Sequence, residues 1–124
     1  MADARPPQVV ADNRSHLSIF VWLVVVQGPG SSKPLPGTLF RLRGGDTIGR
    51  NAGNDIVLAD AAVSDHHAQV FVRDVPDRIE IVLRDVGSVN GICVNGVKGA
   101  EHVLGDGDHV ELGQTHLIFR QVRR

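Results

Sequence analysis

Two Asn-Gly pairs lie close together in residues 85–96, and they constrain the fold more than any other feature of the sequence. The pairs are Asn90-Gly91 and Asn95-Gly96, and they enclose a short apolar run. Asn-Gly is the strongest short-range hairpin signal because both residues tolerate positive φ. The stretch therefore predicts the end of one strand, a loop, a very short strand and a tight turn.

Turn signals of the same kind recur along the whole chain. There are 14 glycines and 6 prolines, which favours many turns over long helices. Apolar and polar residues alternate in runs such as 68–73 and 79–84, as expected of half-buried strands. The apolar run 19–26 predicts a buried strand and is shorter than the ~20 residues of a membrane-spanning helix. Together these signals predict an all-β sandwich of about ten short strands.

The length of the chain predicts one folded domain preceded by a tail. A chain of 124 residues suits a single hydrophobic core. Residues 1–16 have no periodicity and contain Pro6-Pro7, so we expect a flexible N-terminal tail there. Residues 17–124 are expected to form the domain.

Charge and composition exclude several classes of partner. The formal net charge is -1, so no basic field attracts nucleic acid or an anionic membrane. Tyr is absent and Trp occurs once, which leaves few rings for stacking bases. The single cysteine, Cys93, excludes an internal disulfide and a multi-cysteine metal site. We expect a cytoplasmic protein, because a lone cysteine suits a reducing compartment.

Three polar loops are candidates for a binding surface, since loops at one end of a sandwich cluster together. The first loop contains Arg50, whose planar guanidinium can bind a phosphate through two parallel hydrogen bonds. The second contains Ser64, which offers a hydroxyl donor. The third contains Asn90, whose amide is both donor and acceptor and can bind the backbone of an extended peptide. Read alone, this third loop is equally consistent with a pair of solvated turns.

Four motifs in this chain occur in an order that is typical of one family. They are Gly49-Arg50, Ser64-x-x-His67, Gly87-Ser88-x-Asn90-Gly91 with Val94-Asn95-Gly96, and Leu104-x-Asp106-Gly107-Asp108-x-Val110-x-Leu112-Gly113. In this order they resemble the forkhead-associated domain, over roughly residues 20–120. The resemblance implies an eleven-stranded, antiparallel-rich β-sandwich whose loops at one end recognise phosphothreonine in a partner protein.

The resemblance also implies roles for particular side chains. Arg50 and Ser64 would contact the phosphate. Asn90 would bind the peptide backbone, with Ser88 and Val89 beside it on the peptide side. The function implied is phosphothreonine-peptide recognition that mediates protein–protein interaction in kinase signalling. The expected partner is a threonine-phosphorylated protein or peptide, and the oligomeric state stays open.

Three further residues receive structural roles from the resemblance, and two positions depart from the family pattern. Gly49 and Gly91 would let the chain turn close to the site, and His67 would brace the loops from inside. Family members often carry Arg, Lys or Asn where this chain has Asp65, and Thr or Ser where it has Val89. One donor is lost and one negative charge is gained near the expected phosphate. The alternative function is therefore a phosphate-independent interaction or self-association module on the same fold.

An enzyme is not expected from the residues of the second loop. Ser64, Asp65 and His67 contain the residue types of a hydrolase triad, but neighbours on one loop point apart, whereas triad members face one another. The sequence also lacks a Gly-x-Ser-x-Gly nucleophile elbow.

A metal site is not expected from the histidines. Those considered are His66, His67, His102, His109 and His116. His109 and Glu111 fall on the outward face of their strand, and no pair has a recognised ligand spacing. The spacing therefore predicts scattered surface histidines, no metal and no cofactor.

Overall fold

A computed structural model describes residues 8–12, 17–30 and 33–123 of the chain. These residues form twelve β-strands and no helix, which confirms the all-β prediction. The strands are β1 (Gln8–Asp12), β2 (Leu17–Gln27), β3 (Leu39–Arg41), β4 (Thr47–Gly49), β5 (Ile56–Val57), β6 (Ala68–Val75), β7 (Arg78–Asp85), β8 (Ile92–Val94), β9 (Val97–Gly99), β10 (Glu101–Leu104), β11 (His109–Leu112) and β12 (Thr115–Arg123). In this part of the chain no helix has the length and hydropathy needed to cross a membrane.

The strands form two sheets that share one core. The first sheet has seven strands in the order β1-β2-β12-β11-β8-β9, with β3 also paired to β2. The second sheet has five strands in the order β10-β7-β6-β4-β5. Within the described ranges β4 and β5 pair in parallel, and the other pairs are antiparallel. The prediction of an antiparallel-rich sandwich is therefore confirmed.

The core is built from the inward positions of both sheets, as the alternation of apolar residues predicts. On β2, Val21, Leu23 and Val25 are completely buried, whereas Trp22 and Val24 lie half-buried on the opposite face. The second sheet contributes fully enclosed side chains such as Val70 and Leu83. Each fully buried aliphatic side chain of this kind stabilises the fold by about 1.5–3 kcal/mol.

The prediction of a flexible tail over residues 1–16 is wrong for five of its residues. Gln8–Asp12 form β1 and pair antiparallel with the first half of β2. Residues 1–7 and 13–16 of the predicted tail lie outside the described residues. The apolar run 9–11 is too short to indicate a strand without its partner. The strands β2 to β12 match the eleven that the family resemblance implies, and β1 is additional to them.

The tight turn predicted at Asn95-Gly96 is confirmed. It joins β8 to β9, and both residues have positive φ, 52° for Asn95 and 81° for Gly96. This is the backbone of a two-residue type I′ hairpin turn. The sequence did not indicate β9 or β10, because both strands are short and at least half of the positions in each are exposed. Both strands lie at edges of their sheets.

The fold brings three loops to one end of the sandwich. Loop 1 (residues 50–55) connects β4 to β5, loop 2 (residues 58–67) connects β5 to β6, and loop 3 (residues 86–91) connects β7 to β8. Backbone hydrogen bonds join loops 1 and 2 at Arg50 N to Ser64 O, 3.0 Å, and join loops 2 and 3 at Val86 N to His67 O, 3.1 Å. The predicted clustering of these loops is therefore present.

Candidate functional site

Loops 1 and 2 pass each other closely because residue 49 has no side chain. A Cβ atom at Gly49 would overlap the carbonyl oxygen of Asp65 and lie 2.7 Å from Nδ2 of Asn54. A backbone oxygen cannot move aside as the end of a flexible side chain can. Glycine is therefore required where β4 ends and loop 1 begins.

Asn54 holds the same two loops together from inside. Its side-chain Nδ2 donates to Asn51 O at 2.8 Å and to Asp65 O at 2.7 Å. The residue is 7% exposed, so these hydrogen bonds are shielded from water. Sequence reasoning did not select Asn54, because an asparagine in a polar, glycine-containing loop is indistinguishable from an ordinary turn residue.

Arg50 lies across loop 2 with its charged end at the surface. Its Nε donates to Val63 O at 3.0 Å, and a terminal nitrogen lies 3.5 Å from Oδ1 of Asp65. The two side chains are 48% and 63% exposed. An exposed ion pair of this kind contributes only about 0–1 kcal/mol. The guanidinium is thus oriented by the backbone, and Asp65 is a weakly held neighbour of it.

Ser64 lies between Arg50 and loop 3. Its hydroxyl oxygen accepts a hydrogen bond from Val89 N at 3.0 Å. That contact leaves the hydroxyl proton available as a donor. The side chain of Val89 is 87% exposed, so it projects from loop 3 into solvent.

His67 is completely buried beneath these residues. Its Nδ1 accepts a hydrogen bond from Ser64 N at 3.1 Å, and its Nε2 lies 2.7 Å from Gly91 O. Because Nδ1 accepts, the hydrogen-bond pattern assigns the single proton to Nε2, which donates to the carbonyl. One neutral imidazole therefore links loop 2 to loop 3.

Asp85 shapes loop 3 from its first residue. One carboxylate oxygen accepts from Gly87 N and from Ser88 N, both at 2.7 Å, and the other accepts from the Ser88 hydroxyl at 2.5 Å. Burial is the largest single influence and raises the pKa of Asp85, but the hydrogen bonds from Ser88 and Gly87 together outweigh it. The pKa of this carboxyl therefore lies below its usual range.

The Ser88 hydroxyl makes two hydrogen bonds inside loop 3. Its hydroxyl donates to Asp85 and accepts from Gly91 N at 2.8 Å, so the hydroxyl points into loop 3. A serine has one proton to donate, and here Asp85 takes it. The hydroxyl proton of Ser88 is therefore used inside loop 3, and its predicted contact with a peptide stays a prediction.

Asn90 reaches from loop 3 across to loop 2. Its Nδ2 donates to Ala62 O at 2.8 Å, and the residue is exposed. Within the described residues, the second amide proton and Oδ1 have no hydrogen-bond partner, so a donor and an acceptor remain side by side. The next residue, Gly91, has φ of 79°, a backbone conformation that residues other than glycine rarely adopt.

Asp60 fastens loop 2 to the turn between β11 and β12. It is 1% exposed, and one carboxylate oxygen accepts from Ala62 N at 2.8 Å. The other oxygen accepts from Gln114 N and from the Thr115 hydroxyl, both at 2.8 Å. Sequence reasoning missed Asp60, although an acidic residue inside the apolar run 58–63 is a signal of a buried, hydrogen-bonded carboxylate.

The expectation of scattered surface histidines is wrong for three of the five, because His67 is buried and two others lie together. His109 and His116 lie side by side with Glu111 on the outer face of the seven-stranded sheet, although their spacing in sequence suggested no site. They are brought together by the pairing of β11 with β12. This group is separate from the three loops.

Sequence comparison relates this chain to known proteins. The family model for the FHA domain matches residues 47–113. The oxoglutarate dehydrogenase inhibitor of Corynebacterium diphtheriae is 40% identical over 98 residues, which are 78% of this chain and 62% of that protein. The inhibitor of the same name from Corynebacterium efficiens is 35% identical over 119 residues, which are 95% of this chain and 76% of that protein. The chain thus spans less than two thirds of the C. diphtheriae protein.

Structural comparison leads to the same family. A solved structure from an analysis of phosphothreonine-dependent FHA domain interactions superposes with a TM-score of 0.66 at 31% identity, covering 82% of this chain and 95% of that one. Loops 1, 2 and 3 all fall inside the matched residues 47–113. This chain belongs to the forkhead-associated domain family.

Proposed function

We propose that this domain binds phosphothreonine in a partner protein and thereby mediates a protein–protein interaction in kinase signalling. One observation carries the proposal. Arg50, Ser64 and Asn90 come from three different loops, and the loops are hydrogen-bonded to one another around His67. A phosphopeptide laid across this end of the sandwich would meet donors that are already in position.

The phosphate contacts would come from Arg50 and Ser64. Phosphothreonine carries a charge of about -1.5 to -2 at neutral pH and three strong acceptor oxygens. The terminal nitrogens of Arg50 lie at the surface, and the Ser64 hydroxyl keeps its proton for an incoming acceptor. Charge-assisted hydrogen bonds to such a group are about twice as strong as neutral ones.

The peptide backbone would be read by Asn90. Its remaining amide proton and its Oδ1 can pair with one C=O and one N–H of an extended peptide. The bond from Nδ2 to Ala62 O limits the rotation of the amide, so less conformational entropy is lost on binding. Val89, beside it, would offer the peptide an apolar contact instead of a hydroxyl donor.

Asp65 would reduce the affinity without abolishing it. A phosphate at Arg50 would compete with an exposed carboxylate that contributes only about 0–1 kcal/mol. The phosphate would form charge-assisted hydrogen bonds of about 1.5–3 kcal/mol each, so it should displace Asp65 or share the guanidinium with it. The remaining repulsion would weaken binding relative to a domain with a neutral residue at position 65.

Positioning roles are proposed for the residues beneath the surface. Gly49 admits loop 2, His67 joins loops 2 and 3, and Gly91 gives loop 3 its direction into β8. Ser88 is proposed to act with Asp85 inside loop 3 instead of contacting the peptide.

A catalytic role has no support, because the imidazole nitrogen nearest to Ser64 accepts from its backbone N–H and not from its hydroxyl. A cytoplasmic location is supported by Cys93, a free thiol.

The proposal is tested by titrating one phosphothreonine peptide, chosen from a peptide library, and its unphosphorylated twin against the domain. Binding should require the phosphate, and Arg50→Ala should weaken it more than tenfold while the domain stays folded. Arg78→Ala is a matched control, because this exposed arginine pairs with Glu80 at the opposite end of the sandwich. Equal affinities for the two peptides would instead support phosphate-independent interaction, which the existing pair between Arg50 and Asp65 favours.

A further inference from the structure

We infer that His109, Glu111 and His116 form a binding site for a divalent transition-metal ion of the zinc class, on the outer face of the seven-stranded sheet. The site shares no residue with the three loops, so the inference stands independently of phosphopeptide binding. It rests on strand register, on the distances between the three side chains, and on the chemistry of their ligand atoms.

Strand geometry alone places the three side chains on one face. His109 and Glu111 are two residues apart on β11, so they point to the same side of the sheet. The pairing of β11 with β12 puts Glu111 directly opposite His116, and His109 opposite Ile118. His109 is thus the diagonal neighbour of His116, a position within reach of long side chains. The residues that alternate with them, Val110 and Leu112 on β11 and Leu117 on β12, face the core and are completely buried.

The ligand atoms are already close to one another. Nε2 of His109 and Nδ1 of His116 are 2.8 Å apart, with the rings nearly perpendicular at 77°. One ring nitrogen of each histidine and a carboxylate oxygen of Glu111 all lie within 4.8 Å of one another. Two nitrogens bound to one tetrahedral zinc lie ~3.3 Å apart, because each metal–nitrogen bond is ~2.0–2.1 Å. Metal entry therefore requires the rings to separate slightly and Glu111 to approach, with the backbone unchanged.

The donor set suits zinc better than calcium or magnesium. Two imidazoles and one carboxylate are a common protein ligand set for Zn²⁺, with a fourth position open to water. Hard cations prefer all-oxygen sites. In the metal-free state the N–H of one imidazole donates a hydrogen bond to the unprotonated nitrogen of the other. When zinc binds, the donating ring must carry its proton on its other nitrogen, so that both facing nitrogens can bind the ion. All three residues are half-buried, which leaves a path for an ion from solvent.

The site is also held by a rigid part of the molecule. Side chains on paired strands are positioned more accurately than side chains on loops. The backbone of His109 is fixed twice by the turn beyond β8, through Asn95 N to His109 O at 2.8 Å and His109 N to Asn95 Oδ1 at 2.9 Å. The ion would therefore find two strands already paired, and only side chains would need to be ordered.

The test is calorimetric titration of zinc chloride into the full chain after removal of metal with a chelator. We expect one ion per chain, and at least tenfold weaker binding in His109→Gln and in His116→Gln, which keep polar side chains on the sheet face. His66→Gln is the matched control, because this exposed histidine lies in loop 2 and should leave the affinity unchanged. Cys93→Ser should also bind zinc like the parent, although Cys93 lies on β8 directly opposite Glu111.

A second measurement separates metal binding from damage to the fold. Zinc that binds the folded state raises the melting temperature by an amount that grows with the ratio of the free zinc concentration to Kd. The parent and His66→Gln should show this rise, and the two cluster variants should melt normally without showing it. Unchanged zinc affinity in His116→Gln, or an equal loss in His66→Gln or Cys93→Ser, would overturn the assignment, as would the absence of zinc binding by the parent.

Discussion

The two Asn-Gly pairs of this chain have the same chemistry and opposite uses. At the second pair, both residues have positive φ, and the side chain of Asn95 uses both ends of its amide, with Nδ2 donating to Asp108 Oδ1 at 3.0 Å and Oδ1 accepting from His109 N. At the first pair Gly91 has positive φ and Asn90 does not. Asn90 instead extends its side chain to Ala62 O and retains an unused donor and acceptor.

The difference teaches that turn propensity and binding capacity are separate properties of the same dipeptide. Asn95 uses its amide nitrogen and its amide oxygen on Asp108 and His109, where the chain enters β11, and so stabilises the fold. Asn90 satisfies only part of its capacity, and it does so against a neighbouring loop. A candidate binding residue is thus recognised by donors and acceptors that have no partner in the fold. Five experiments on stability and affinity test this comparison.

The largest expected effect comes from removing the support beneath the first pair. His67→Ala would leave a cavity and two shielded polar groups, Ser64 N–H and Gly91 C=O, without partners. The free energy of unfolding should fall by roughly 3–5 kcal/mol, as measured by urea denaturation. Phosphopeptide binding should weaken as well, because loops 2 and 3 lose their link. A variant that melts like the parent would show that the imidazole does not brace the loops.

The next effect concerns the second pair. Asn95→Ala removes the side-chain hydrogen bonds to Asp108 and His109 and forces alanine into the left-handed region, so unfolding should become easier by roughly 2–3 kcal/mol. Affinity for a phosphopeptide should stay within twofold of the parent. Asn95→Gly is the matched control, because glycine accepts the backbone conformation, and it should lose only the hydrogen-bonding part. A large loss of affinity in either variant would contradict the division between the two pairs.

Asn90→Ala should give the reverse result. The melting temperature should change little, because Asn90 is exposed and contributes one hydrogen bond to Ala62 O. Phosphopeptide affinity should fall roughly 10–30-fold, equivalent to about 1.4–2 kcal/mol of lost backbone contacts. Calorimetry on the same preparation used for the melting curve compares the two effects directly. If stability falls while affinity is retained, the roles of the two pairs are the opposite of those proposed.

A smaller effect is expected from Asp65, the carboxylate beside Arg50. Asp65→Asn should raise phosphopeptide affinity roughly two- to fivefold by removing repulsion, and Asp65→Arg should raise it further by attraction, since exposed charges interact by about 1 kcal/mol or less. The gain should shrink as salt is raised, because exposed charges are screened over ~10 Å at 0.1 M. Unchanged or weaker binding by the arginine variant would mean that residue 65 does not face the phosphate.

The smallest effect is the response of loop 3 to acid. The pKa of Asp85 is lowered in the folded state, so its contribution to stability is complete above the unfolded value of about 3.9. That contribution is lost as the pH falls through the lower folded pKa. Asp85→Asn should therefore show a weaker decline in melting temperature between about pH 5 and pH 3 than the parent. Parallel declines in the two proteins would exclude Asp85 as a source of the acid sensitivity.

Much of the fold could be predicted because its signals are local. The apolar alternation on β6 and β7 and the Asn-Gly turn after β8 depend only on neighbouring residues. β1 could not be predicted in this way, since its short apolar run becomes a strand only beside β2. β9 and β10 were missed for a related reason, because edge strands with exposed side chains carry little hydrophobic pattern.

The candidate site was predictable as a set of loops and less so as a set of contacts. Motif order selects Arg50, Ser64 and Asn90, but the direction of the Ser88 hydroxyl depends on Asp85, which the sequence presents as an ordinary strand end. Asp60 and Asn54 were missed because burial of a polar side chain is a property of the packed loops. His109 and His116 were separated in the sequence analysis because cross-strand register decides their proximity.

The arrangement of β1, β3 and β9 has a consequence for how the protein avoids aggregation. β2 is eleven residues long and mostly apolar, and an unpaired strand of that kind would be a ready template for other chains. β1 covers β2 from Leu17 to Phe20, and β3 covers Trp22 to Val24, so both short strands shield the long one. At the other margin of the sheet, β9 is three residues long and has Lys98 at its centre, a charge that discourages edge-to-edge pairing. β1, which the sequence did not indicate, therefore protects the edge of β2 and helps to prevent the domain from polymerising through its longest strand.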